Sequence, residues 1–318
     1  MRTRLTLVAL AAVLAGDVLH AQQAQTPVFR TGTETVSIFA TVIGEDGRLV
    51  TGLTRDQFTV SDNGHPQELT IFDAEAKPIH IIVLLDASGS MTGNLPVLRQ
   101  AAVQLFTRLR EDDGARVGYF GHRIQISPSF TNDVDELIRS LWVAVDLDGP
   151  TPLWRALTSA IIGLAPIDGR RVVLVFTDGR DNQSKQVGGF QLGPTLEDVI
   201  AHAHREDVMV YAIGMRSLDQ APPRAPRRTA TASRAGPDPG LKTLAAETGG
   251  GYFELMGTEN LGDVFAAVAD ELHHQYLLGY ALPEADGKQH RVGVTLANRD
   301  LDVRARQSYL APMTRSGR

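Results

Sequence analysis

The sequence contains no cysteine. That absence excludes disulfide staples, thiolate zinc sites, iron–sulfur clusters, thiol nucleophiles and redox dithiols. Any metal must then be held by oxygen or histidine. A lipid-anchored bacterial export signal, which needs a cysteine at its cleavage point, is excluded too. Beyond the N-terminus no apolar run approaches the ~18 residues of a spanning helix, so no membrane span is expected. An excess of positive charge is also missing: 31 Lys+Arg stand against 37 Asp+Glu, a net charge of −6. Nothing here favours a nucleic acid or an anionic membrane as partner.

What is present is 318 residues, 43% of them hydrophobic, enough for one large domain or two smaller ones. Residues 1–21 run from Arg2 and Arg4 through an apolar stretch, Leu5 to Leu14, to Leu19-His20-Ala21. This is the order of a secretory signal peptide. Cleavage is expected near Ala21, leaving 29 basic against 36 acidic residues. The chain is therefore expected to be exported, to the periplasm or beyond it.

From Glu34 to Asp73 apolar residues alternate with polar ones, as in Val36, Ile38, Ala40 and Val42, and Asp46-Gly47 and Asn63-Gly64 supply turns. Period two with such turns predicts strands and hairpins. The same habit returns at Tyr276–Ala281, Arg291–Leu296 and Leu301–Arg306. Each flank falls below the ~60 residues that bury a workable core alone, so the two are expected to pack together as one small β-sandwich.

Between the flanks the period changes. Ile81–Leu85, Val172–Phe176 and Val208–Ile213 are continuous aliphatic runs, the pattern of parallel strands covered on both faces. Helical patterns at Pro96–Arg110, Val134–Val145, Leu153–Leu164, Leu196–Arg205 and Asn260–His273 separate them. The expected class is α/β, a doubly wound, Rossmann-like, mostly parallel sheet. Met215–Gly240, with five prolines and five arginines, is expected to be a surface loop.

Ligands gather at the carboxyl ends of strands in such sheets, and three segments bring oxygen side chains there. The first strand runs into Asp86-Ala87-Ser88-Gly89-Ser90, the second into Thr177-Asp178-Gly179, and Gly149-Pro150-Thr151-Pro152 contributes a hydroxyl. Alternation puts Asp86, Ser88 and Ser90 on one side if that turn stays extended, with Gly89 letting the backbone bend around a small ion. Two carboxylates, three hydroxyls and water make the oxygen shell of Mg2+, with Mn2+ or Ca2+ as substitutes. Separately, Thr151 reads equally as a helix N-cap and Asp178-Gly179 as a turn.

Asp86-x-Ser88-x-Ser90, Thr151 and Thr177-Asp178-Gly179 together resemble the metal-ion-dependent adhesion site of von Willebrand factor type A domains. The flanks, Val50-Thr51-Gly52-Leu53 through Val60 and Tyr276-Leu277-Leu278-Gly279-Tyr280, resemble the bacterial exported group of proteins related to that domain. The resemblance implies a type A domain over 79–275, so the expected organisation is a signal peptide over 1–21, an N-terminal β-region over 22–78, that domain, and a C-terminal β-region over 276–318 packing with 22–78. It also implies a metal set of Ser88, Ser90 and Thr151, with Asp86 and Asp178 touching the ion directly or through water. The last helix, Asn260–His273, corresponds to one that slides in integrin-like relatives when ligand binds.

The function so implied is a binding module, not an enzyme, whose Mg2+ takes the carboxylate of an Asp or Glu on a partner protein. Arg180, Asp181, Asn182 and the 121–132 segment are expected to set specificity around it. A metal-dependent hydrolase is the alternative, with His122 as the one histidine near enough to serve as base, and a structural envelope protein stabilised by the metal is another. Gly-x-Ser-x-Gly is absent around Ser88 and Ser90, as are both glycine-rich phosphate-binding patterns. Asp146-x-Asp148 begins like a calcium loop, but Pro150 and Thr151 break it. His202 and His204 lie two apart and His273-His274 are adjacent, so neither forms a zinc helix pair.

Overall fold

Asn63 and Gly64 take φ of 48° and 83°, the left-handed pair that a two-residue hairpin turn demands. The computed structural model describes residues 34–147, 149–187, 190–216, 236–258 and 260–313. The leader expected over 1–21, Asp148 and most of the Pro/Arg-rich stretch lie outside the described residues. In chain order the elements begin with β1 (Thr35–Ile43), β2 (Phe58–Asp62), β3 (His65–Gln67), β4 (Leu69–Asp73) and β5 (Ile79–Asp86). Then come α1 (Leu95–Phe106), β6 (Gly114–Phe120), β7 (Ile124–Ile126), α2 (Val134–Leu141), α3 (Leu153–Leu164), β8 (Arg170–Thr177), β9 (Lys185–Val187) and β10 (Phe190–Leu192). The remainder are α4 (Leu196–Arg205), β11 (Val208–Arg216), α5 (Gly240–Thr248), β12 (Tyr252–Met256), α6 (Leu261–His273), β13 (Tyr276–Ala281), β14 (Gln289–Leu296), β15 (Asp302–Arg304) and β16 (Ser308–Leu310).

The aliphatic runs form the centre of a six-stranded sheet ordered β12-β11-β8-β5-β6-β7, parallel except for β7. Alternate side chains of each run serve opposite faces. Ile81, Val83 and Leu85 pack with Val172, Leu174 and Phe176 under α1 and α6. Ile82 and Leu84 pack with Val173 and Val175 under α3, α4 and α5. These side chains are fully buried, and each contributes about 1.5–3 kcal/mol of hydrophobic stabilisation. Strand order reverses at β5, which lies between β8 and β6. That makes the crevice at its carboxyl end the switch point where ligands sit in doubly wound folds.

Both chain ends build the flanking sheets. One is ordered β15-β1-β13-β4 and the other β16-β14-β2-β3, and β1 pairs antiparallel with β13, and β2 with β14. Ile38, Ala40, Val60, Leu278 and Tyr280 meet in one core shared by the two sheets. Neither flank supplies a sheet by itself, as their lengths require.

Several elements depart from expectation. α2 stops at Leu141 instead of reaching Val145, because the Tyr119 hydroxyl donates to the Leu141 carbonyl at 2.6 Å and fixes the helix end against β6. β6 carries Gly114, Arg116 and Gly118, which hide its period. A Cβ on Gly118 would stand 2.7 Å from the Leu84 side chain, so this strand is built for close approach rather than for an aliphatic run. α5 and β12 follow the proline-rich stretch and were masked by its composition.

A candidate metal centre at the carboxyl edge of the sheet

Leu85 pairs with Phe176 in register, so Asp86 at the end of β5 and Thr177 at the end of β8 emerge side by side. Asp86 is wholly buried. Its Oδ1 accepts from the Ser88 amide at 2.8 Å and its Oδ2 from the Thr177 hydroxyl at 2.5 Å. Burial pushes the Asp86 carboxyl up to about 6; hydrogen bonds from Ser88 and Thr177 work against that rise, and the nearby Asp178 charge adds to it.

The turn beyond Asp86 does not stay extended. Ser88 is extended, with ψ of 166°, but Gly89–Met91 close into a single 3-10 turn held by buried Met91. That turn, rather than strand alternation, folds Ser90 back beside Ser88, with their hydroxyl oxygens 3.2 Å apart. Ser90 then donates to Asp178 Oδ1 at 2.7 Å. Gly89 has no left-handed φ and a Cβ there meets nothing within 4 Å, so the expected backbone role of this glycine is not seen. Asp178 is buried, and burial raises its carboxyl while the Ser90 hydroxyl opposes the rise.

Thr151 reaches the same place from the other side. Its Oγ1 lies 3.1 Å from where a Cβ on Gly179 would stand, so the hydroxyl rests against the Thr177-Asp178-Gly179 turn. It is not the helix cap: α3 has Pro152 at that position and no side-chain cap of its own. The structure thus joins Asp86, Ser88, Ser90 and Asp178 in one chain of polar contacts and sets Thr151 beside it. Hard oxygens of this kind suit Mg2+, Mn2+ or Ca2+. Among the described residues no group of three or more His, Asp or Glu converges as a metal site; this cluster has two carboxylates, and hydroxyls supply the remainder.

His122 is exposed, and the described contacts give it no hydrogen bond to the cluster. Buried His204 bonds to the Glu247 carbonyl at 3.1 Å and buried His273 to Asp113 at 2.8 Å, so both serve packing. Sequence reasoning overlooked what Thr177 does for Asp86. Nor did it show that Asn182 holds the Thr151 amide and Asp181 the Trp154 amide at the start of α3. The two prolines flanking Thr151, which leave that loop short of backbone donors, were the available signal.

The profile of the von Willebrand factor type A domain matches residues 80–267. The chain belongs to that family. No match is found among curated proteins. Among solved structures, proximal thread matrix protein 1 of the mussel byssus, described as having a zinc-occupied MIDAS motif, aligns with a TM-score of 0.50 and 16% identity, covering 67% of this chain and 50% of that one. The chain thus spans about half the length of that protein. An aerotolerance-related membrane protein from Bacteroides fragilis aligns at 0.45 and 17% identity, over 61% of this chain and 98% of its own. The von Willebrand factor domain of a type V pilus tip protein from Porphyromonas gingivalis aligns at 0.45 and 12%, over 61% and 95%. These likenesses concern the fold of the type A domain. Among its described residues no helix is long and apolar enough to cross a membrane.

Proposed function

We propose that this chain is an exported, metal-dependent protein-binding module. Its type A domain, assigned to 79–275, holds Mg2+, or Mn2+ or Ca2+ in its place, through Ser88, Ser90 and Thr151, with Asp86 and Asp178 direct or water-bridged. The flanks 22–78 and 276–318 form its sandwich, and residues 1–21 are removed on export. The observation that carries the reading is the continuous run of contacts Asp86–Ser88–Ser90–Asp178, with Thr151 alongside, at the switch point of the sheet.

When bound, the ion would supply a localised positive charge able to attract an Asp or Glu carboxylate of the partner. The protein's own groups do the rest. Thr177 orients Asp86, the 3-10 turn presents Ser88 and Ser90 together, and burial keeps water from competing for Asp86. The nearby Asp178 charge adds to the rise that burial imposes on the Asp86 carboxyl, a strain that a cation relieves.

Isothermal titration with Mg2+ and Mn2+ tests the reading, with Zn2+ included because the byssus protein carries it. Wild type is expected to bind, and Asp86→Ala and Ser88→Ala to weaken binding at least ~10-fold, about 1.4 kcal/mol, with far-UV circular dichroism unchanged. Undiminished binding in both variants overturns it. A pull-down from envelope and extracellular fractions, in Mg2+ and in EDTA with Asp86→Ala as control, then identifies the partner.

A further inference from the structure

We infer that Asn182 and Asp181 are positioning residues of this centre: they clamp the Thr151 loop to the Asp178 loop, so that the Thr151 hydroxyl and the Asp178 carboxylate face one ion. The inference rests on the metal reading proposed above.

Thr151 and Asp178 belong to separate connections, one entering α3 and the other leaving β8. Pro150 and Pro152 flank Thr151 and have no N–H, so Thr151 supplies the only amide donor of that tripeptide. Both of its backbone groups go to Asn182. The Thr151 amide donates to Asn182 Oδ1 at 3.0 Å, and the Asn182 amide donates to the Thr151 carbonyl at 3.2 Å. Asp181 adds the second half of the clamp. Its Oδ1 accepts from the Trp154 amide at 3.2 Å in the first turn of α3, taking the place of the side-chain cap that Pro152 lacks. A carboxylate at a helix N-terminus is favoured there by the helix dipole. Asp181 Oδ2 accepts from the amides of Gln183 and Ser184, at 3.2 and 2.8 Å, which fixes its own direction.

The loop is also gripped from behind. Asp238, just before α5, accepts from the Asp181 amide at 3.2 Å through Oδ2 and donates its own amide to the Gly179 carbonyl at 3.1 Å. Residues 179–182 are therefore rigid on the α5 side and offer Asn182 and Asp181 to the α3 side. With that grip in place, a Cβ on Gly179 would stand 3.1 Å from the Thr151 hydroxyl oxygen. Leu153 and Trp154 pack into the apolar core behind the loop, and these bonds tie its exposed side to residues 179–182.

The test is Mn2+ affinity, read by electron paramagnetic resonance, in wild type, Thr151→Ala, Asn182→Ala, the double variant and Asn182→Asp. Asn182→Ala is expected to weaken Mn2+ by about tenfold to a hundredfold, the range for residues that orient metal ligands. Asn182→Asp keeps the acceptor oxygen and should stay near wild type. Acting through Thr151, Asn182→Ala should add little on the Thr151→Ala background, whereas a merely structural loss adds in full. An ion-free readout accompanies these: in EDTA, the Thr151 amide should exchange its hydrogen faster in Asn182→Ala than in wild type. If Asn182→Ala loses its far-UV signal, Asn182→Ser, too short to reach the Thr151 amide, replaces it. A wild type that binds no Mn2+ overturns the metal reading, and this inference with it. A wild type that binds, with Asn182→Ala unchanged or fully additive, overturns the clamp alone.

Discussion

Thr177 ends β8 with a hydroxyl that serves two neighbours. It donates to Asp86 Oδ2 at 2.5 Å and accepts from the Gly179 amide at 3.0 Å. Thr177→Val keeps the shape but leaves a buried carboxylate oxygen and an amide without that partner, which costs about 1–3 kcal/mol. Urea denaturation should show that loss, and Thr177→Ser should recover most of it; a Thr177→Val protein as stable as wild type would remove Thr177 from its supporting role. At this scale the cluster was partly legible. Ser88, Ser90 and Asp178 were readable as oxygen donors because each follows a strand whose aliphatic run announces itself. Their way of meeting was not, because the 3-10 turn that brings Ser90 back is set by burial of Met91 and not by strand period. The tasks of Thr177, Asp181 and Asn182 depend on partners tens of residues away, and spacing carries no trace of such bonds.

Helix α6 shows how an element joins two parts of the molecule. Buried Glu271, near its C-terminal end, accepts from Thr41 on β1 at 2.8 Å, and also from the Tyr211 hydroxyl on β11 and the Arg304 guanidinium on β15. Gln275 donates to the Thr41 hydroxyl at 2.6 Å and to Tyr211 at 3.1 Å, and Arg170 donates to the Leu272 carbonyl. The end of α6 is thus tied to the central sheet and to the sandwich by one polar network. Glu271→Ala leaves Arg304 and Tyr211 facing a vacated acceptor, and leaving such partly buried partners unsatisfied costs about 1–3 kcal/mol. Thermal melting should register it, with Glu271→Gln falling between the two; a melting temperature unchanged by Glu271→Ala would show that this network does not hold the parts together. The sequence pattern announced α6 within one residue, since its apolar residues repeat at helical spacing. It could not announce β12, a five-residue edge strand with no fully buried side chain and two exposed ones.

For the whole molecule, a chain without cysteine must be closed by packing and polar contacts, and here strands from both ends share the sandwich. Its polar centre is Asp62 on β2. Asp62 accepts from Tyr280 on β13 at 2.8 Å, Tyr309 on β16 at 2.7 Å and His290 on β14 at 2.7 Å. The other ring nitrogen of His290 faces Asp286 at 3.2 Å. Donation from both nitrogens requires the imidazolium. Burial alone would lower the His290 pKa, but Asp62 and Asp286 outweigh it and hold it above the ordinary value. A histidine held up in the folded state binds its proton more tightly folded than unfolded. Its contribution is therefore complete below the unfolded value of about 6.5 and is lost as pH rises through the folded one. Unfolding free energy, measured by urea at steps from pH 6 to pH 9, should fall further for wild type than for His290→Gln, so that the difference between the two proteins narrows toward the alkaline end. Parallel curves across that window would mean that His290 is neutral in the folded protein. The sandwich would then be closed by its apolar core, the two tyrosine bonds to Asp62 and a single bond from the neutral imidazole.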